Sequence, residues 1–149
     1  MAWANSLRPD AGAASYLIHT IDYRHGKVAQ VAFSPNGEFI CAAGSNPVQI
    51  WNTKSGMLER SLQNAEGIEK IAYSPDGKLV CTLYDKEFDD NDDPVDLKLK
   101  IWSTTTGKFI RSFIVDDFFG GRLCITFSHD GEEVYWASSK IRRIYMANI

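Results

Sequence analysis

No stretch of this sequence stays apolar for the roughly 18 residues that a membrane-spanning helix needs. The opening residues, MAWANSLRPDAGAAS, lack the basic start and apolar run of a secretory leader, so export is not expected. Cysteine is scarce, and its count of three is odd. Without an export signal this reads as reduced thiols in a cytoplasmic setting, with the nucleus as the other compartment open to it. Histidine is equally rare: His19, His25 and His129 stand apart, with no HExxH or Cys-x-x-Cys near them, so no metal site is expected. A glycine-rich phosphate loop, a nucleophile elbow and paired carboxylates at a strand end are all missing. The chain therefore reads as neither an enzyme nor a cofactor carrier.

Basic charge is also too thin for a dedicated nucleic-acid binder. The net charge is −3, but residues 85–96 (DKEFDDNDDPVD) alone contribute −6, which leaves a body of +3. The acidic run lacks the alternating Asp spacing, turn glycine and closing Glu of a calcium loop. Lys140, Arg142 and Arg143 are three cations flanking one strand, a pattern more common as plain surface charge than as a phosphate site. Hydrophobic residues at 44% are nonetheless enough for a core, which excludes disorder over most of the chain.

What is present is a repeat. Phe33-Ser34-Pro35-Asn36-Gly37, Tyr73-Ser74-Pro75-Asp76-Gly77 and Phe127-Ser128-His129-Asp130-Gly131 each end an apolar strand in turn residues. Each is followed by another apolar strand and then by Ile50-Trp51, Ile101-Trp102 or Ile144-Tyr145. The distance from turn glycine to this second aromatic is 14 positions in the first and third units and 25 in the middle one. A further strand recurs as residues 15–21, 56–62 and 107–113, with His19, Arg60 and Arg111 in one column and Thr20, Ser61 and Ser112 in the next. Alternation of apolar and polar residues marks these as half-buried strands. Four short strands per unit, repeated three times, predict an all-β architecture of propeller blades. Each blade has two apolar faces that only its neighbours can cover. The expected organisation is an irregular segment over 1–14, then three blades over 15–149, with repeats at about 26–66, 67–120 and 121–149.

The motifs FSPNG or YSPDG, then IW, then TxxG resemble the WD40 family. The resemblance implies a β-propeller and, by function, a protein-interaction scaffold. Departures are visible. Tyr23-Arg24 and Asn64-Ala65 stand where the family has Gly-His. The turns at Gly44-Ser45-Asn46-Pro47 and Ser138-Ser139-Lys140 lack the family's Asp, and Tyr145 stands in the third tryptophan position. The family's buried polar network is therefore expected to be absent and apolar packing to carry the stability. Cys41 and Cys81 lie in equivalent strands of adjacent blades, where sheets ~10 Å apart leave them too distant for a disulfide. The chain starts on an outer strand and ends without one, so three blades form an incomplete ring or a fragment of a larger one. Missing blades of a longer chain, or head-to-tail self-association, would complete it.

Two insertions mark the candidate binding surface. One follows the second strand of the middle unit and the other lies in the link after it, which puts both on the same rim. Phe88, Phe118 and Phe119 are the expected anchors. Asp89, Asp90, Asp92, Asp93, Asp116 and Asp117 are the expected charges for basic groups on a protein partner. The leading reading is a non-enzymatic scaffold. The alternative arises because the middle unit, with its expanded polar loop, resembles the propellers of eukaryotic initiation factors two-A and three-b. That reading implies contact with the small ribosomal subunit, or another ribonucleoprotein. A propeller-type enzyme is the third reading.

Overall fold

The computed structural model describes residues 20–21, 23, 26–45, 47–62, 65, 67–84, 98–115, 122–139 and 143–149. Eleven strands and no helix occur among them: β1 Val28–Phe33, β2 Phe39–Gly44, β3 Gln49–Asn52, β4 Leu58–Ser61, β5 Ile68–Tyr73, β6 Leu79–Tyr84, β7 Lys98–Ser103, β8 Phe109–Ile114, β9 Leu123–Phe127, β10 Glu133–Ser138 and β11 Ile144–Asn148. They form three antiparallel meanders, β1-β2-β3-β4, β5-β6-β7-β8 and β9-β10-β11, here called blades 1, 2 and 3. Blade 3 has three strands among the described residues. Of the outer strand expected over 15–21, residues 15–19 lie outside the described set, and Thr20 and Ile21 are not in a strand.

The first turn of every blade is built the same way. A serine hydroxyl accepts the N–H of the residue five positions on, Phe39 (2.9 Å), Leu79 (2.9 Å) or Glu133 (3.0 Å). It donates in turn to the side-chain oxygen of Asn36 (2.7 Å), Asp76 (2.7 Å) or Asp130 (2.6 Å). That oxygen also accepts the N–H of Glu38, Lys78 or Glu132. The next residue must then turn left-handed, at φ 71°, 73° and 77°, which glycine does without a steric penalty. The serine is thus the pivot of the turn. The Ser74 hydroxyl and the Lys78 N–H hold the Asp76 carboxyl below its usual range.

Blades stack through two apolar clusters. Between blades 1 and 2 lie Cys41, Ala43, Val48, Ile50 and Leu62 from one side and Ile68, Ile71, Val80 and Trp102 from the other. Between blades 2 and 3 lie Cys81, Leu83, Leu99 and Ile101 against Leu123, Phe127, Val134 and Trp136. Fully burying a Val, Leu, Ile or Phe side chain among these contributes about 1.5–3 kcal/mol. A polar contact adds register: the Gln30 side-chain oxygen crosses to accept the Ile71 N–H at 2.9 Å. Outer-strand arginines reach the following blade. The Arg60 stem packs where a Cβ at Gly107 would stand, and Arg111 donates to the Asn148 carbonyl at 3.3 Å.

Two expectations need correction. The polar network is not wholly lost, because Trp102 Nε1 donates to Thr82 Oγ1 at 2.8 Å inside the core. Blade 1 has Ala42 at the Thr82 position, and Trp51 Nε1 is left without a partner among the described residues. The second correction concerns Tyr145. Trp51 pairs with Ile40 and Trp102 with Val80, but the residue opposite the equivalent Val134 is Ala147. Ile149, donating its N–H to Glu132 O, occupies the place of Thr53 and Thr104, which donate to Glu38 O and Lys78 O. The hairpin between β10 and β11 absorbs two more residues than that of blade 1, so equal spacing in sequence conceals a two-residue offset. Tyr145 instead stacks on Trp136 (5.6 Å, 9°), and Trp136 stacks on Phe113 of blade 2 (6.4 Å, 26°). Ring stacking thus supplies at this interface what the missing tryptophan does not.

Replacing Thr82 with Val keeps the shape and orphans the Trp102 N–H, which should cost about 1–3 kcal/mol in urea unfolding. Ala42→Thr should stabilise by about 0.5–1.5 kcal/mol by giving Trp51 its acceptor. No change in either midpoint would contradict the assignment.

Candidate interaction surfaces

Blade 2 emits both insertions from one end. Lys98, the first residue of β7, pairs with Ile114, the last of β8, and Tyr84 closes β6 opposite Ile68. The strand ends flanking residues 85–97 and those preceding 116–121 therefore share a rim. All eleven extra residues of the middle unit fall between β6 and β7, because Ile40↔Trp51 and Val80↔Trp102 hold the same register on either side. The predicted binding residues themselves, Phe88, Asp89, Asp90, Asp92, Asp93, Asp116, Asp117, Phe118 and Phe119, lie outside the described residues.

The opposite rim carries a groove at the junction of blades 1 and 2, with a volume of about 320 Å³. Glu59 and Arg60 of β4 form one wall, and Asp76, Lys78 and Thr104 from two turns of blade 2 form the other. Its charges are mixed in sign, and no group of three His, Cys, Asp or Glu able to hold a metal occurs among the described residues. Tyr73 lines its apolar end and meets the thiol of Cys41 across the blade interface.

An open arc of blades leaves one apolar face without a neighbour at each end, as the repeat implies, and the structure identifies the residues on each. On blade 1, Val31, Phe33, Ile40, Ala42, Gln49 and Trp51 share the face turned away from blade 2, as cross-strand pairing requires. On blade 3, Cys124, Thr126, Tyr135, Ala137, Ile144 and Met146 share the face turned away from blade 2.

Comparison with known proteins gives the same architecture. Residues 15–52 match the family model "WD domain, G-beta repeat". Eukaryotic translation initiation factor 2A of Schizosaccharomyces pombe is 32% identical over 82 residues, 55% of this chain and 14% of that protein. A U3 small nucleolar RNA-associated protein 15 homolog of Rattus norvegicus is 30% identical over 113 residues, 74% of this chain and 19% of that protein. The chain thus spans about one fifth or less of the length of these two relatives. Among solved structures, the Cps50 (Swd1) β-propeller domain of Myceliophteria thermophila superposes with a TM-score of 0.66. Its identity is 17%, over 89% of this chain and 38% of that one, a likeness of fold.

The cysteines provide a direct check on burial. Cys41 and Cys81 are free and buried, in line with the expected absence of a disulfide, whereas Cys124 is free and exposed. Burial pushes both buried thiols from 9.0 up to about 12. A group whose folded value is raised contributes stability below its unfolded value and loses it above. The urea midpoint should therefore fall as pH climbs from about 9 toward 12. At neutral pH a thiol reagent should label Cys124 alone until the chain unfolds; labelling of all three in the native protein would contradict the packing.

Proposed function

We propose that these WD-type propeller blades act as a non-enzymatic scaffold that binds other proteins through the loops of one rim, in a cytoplasmic setting. The observation that carries this reading is the placement of strand ends: the two longest insertions of the middle unit leave blade 2 at the same edge. Loops set close together by a rigid sheet are a common place for binding. In this reading Phe88, Phe118 and Phe119 bury against the partner. Asp89, Asp90, Asp92, Asp93, Asp116 and Asp117 pair with its basic groups and speed the encounter.

A second reading is favoured by the 32% identity to initiation factor 2A and by the match to a U3 small nucleolar RNA-associated protein. Here the partner is a ribonucleoprotein particle, and the acidic loop meets basic proteins on its surface rather than RNA.

Changing Phe118 and Phe119 together to Ser should abolish partner capture and leave the melting temperature unchanged; equal loss of both would return these rings to the core. Purified small ribosomal subunits should carry the chain down on co-sedimentation at low salt if the second reading holds, and absence from the pellet would end it.

A further inference from the structure

Blade 2 has a described neighbour on each of its faces, yet its outermost strand keeps an open edge. Among the described residues β8 pairs with β7 alone and ends its sheet. The sheets stack through their inner strands, β1 on β5 and β5 on β9, so the outer strands lie at the circumference. Blade 1 ends in the equivalent strand β4, and the two edges differ. β4 is four residues long and carries Glu59, a charge of the kind that blunts an edge against pairing. β8 is six residues long. Its register sets Phe109 and Arg111 where β4 has Leu58 and Arg60, which puts Ile110 in the place of Glu59. Phe109, Ile110 and Ile114 are 50%, 47% and 55% exposed. A long apolar edge with unpaired backbone N–H and C=O groups is a template for one more strand.

We infer that this edge takes up an extended, acidic segment of a partner protein as a fifth strand of blade 2. Charge selects the occupant. Residues 98–115, which span β7 and β8, hold Lys98, Lys100, Lys108 and Arg111 and no acidic residue. None of these four cations forms an ion pair with a described residue. Lys100 stands opposite Ser112 on β8. The small serine leaves room for the lysine stem to reach a carboxylate on a strand about 4.7–4.9 Å further out. On the blade 3 side, Arg111 gives one N–H to the Asn148 carbonyl and keeps its other donors for an anion. A second copy pairing through the same edge would set these cations against one another, which disfavours self-association. The phosphates of a nucleic acid would meet the cations but leave Ile110, Ile114 and the backbone edge unused. A strand bearing carboxylates and apolar side chains uses all three. The edge runs along the circumference between the two rims, so it adds a second interaction site to the scaffold proposed above.

Fluorescence anisotropy on the full chain, with a fluorescein-labelled peptide of four Glu-Val repeats, tests this. Saturable binding that weakens as salt rises is expected, and a peptide of four Lys-Val repeats should not bind. Methylating every second amide nitrogen of the acidic peptide, in the two possible phases, should abolish binding in one phase only, because a single edge of the added strand faces β8. Ile110→Glu copies the residue that β4 carries at that place. It should weaken binding by about tenfold or more and leave the urea midpoint unchanged. Lys100→Gln should weaken binding and flatten its salt dependence. The double change of Phe118 and Phe119 to Ser should bind the peptide as the wild type does, which separates this site from the rim loops. Failure of the acidic peptide to bind, equal binding of the basic one, or the same result in both methylation phases would overturn the proposal. Displacement of the peptide by an oligouridylate that binds more tightly would overturn it in favour of phosphate recognition.

Discussion

The structure depends on one constraint: a four-stranded sheet with apolar residues on both faces is not stable alone, and each blade must bury both sides against neighbours. Blade 2 is the one described sheet that has this, with Val80 and Trp102 under blade 1 and Cys81, Leu83 and Ile101 under blade 3. The serine-centred turns, the Gln30–Ile71 bond and the arginines of β4 and β8 refine how the sheets sit. Net contributions of about 1 kcal/mol per hydrogen bond are small beside the buried apolar surface of each junction.

The junctions are not copies of each other. Between blades 1 and 2 a tryptophan holds the centre and donates to a threonine. Between blades 2 and 3 the aromatic has moved across the hairpin: Trp136 of β10 lies between Phe113 and Tyr145. The offset of β11 keeps its inward face apolar because a shift of two residues preserves the side on which each side chain falls. A shift of one would have turned Tyr145 and Ala147 to the outside. Divergence of the repeat is therefore tolerated as long as parity along each strand is kept.

Parity is also why so much of the fold could be read from sequence. The positions of Phe33, Tyr73 and Phe127 before the serine turns, and of Trp51 and Trp102 after the second hairpin, placed the strands to within a residue or two. The Tyr145 assignment failed because sequence spacing counts residues and cannot tell whether extra ones sit in a strand or in a turn. The Trp102–Thr82 bond was missed because the absent Gly-His and Asp positions drew attention away from the threonine that remained. The role of the turn serines was present in the motif and unassigned, since hydrogen-bond direction is not written in residue identity. The predicted loop anchors, Phe88, Phe118 and Phe119, lie outside the described residues, so that part of the candidate site still rests on sequence and on the rim from which its flanking strands emerge. That an open arc has a bare apolar face at each end followed from the repeat; which residues lie on it needed the pairing register and the stacking order of the blades.

The dependence on covered faces can be tested at one pair of equivalent positions. Val31 and Ile71 hold the same place in successive blades, one uncovered and one under its neighbour. The measurement is the urea midpoint of Val31→Asp and of Ile71→Asp, taken on the monomeric chain. The account predicts a change of about 0.5 kcal/mol or less for Val31→Asp. It predicts a loss of several kcal/mol, or no folded protein, for Ile71→Asp, where a charge would be buried without a partner. Equal losses at the two positions would contradict it.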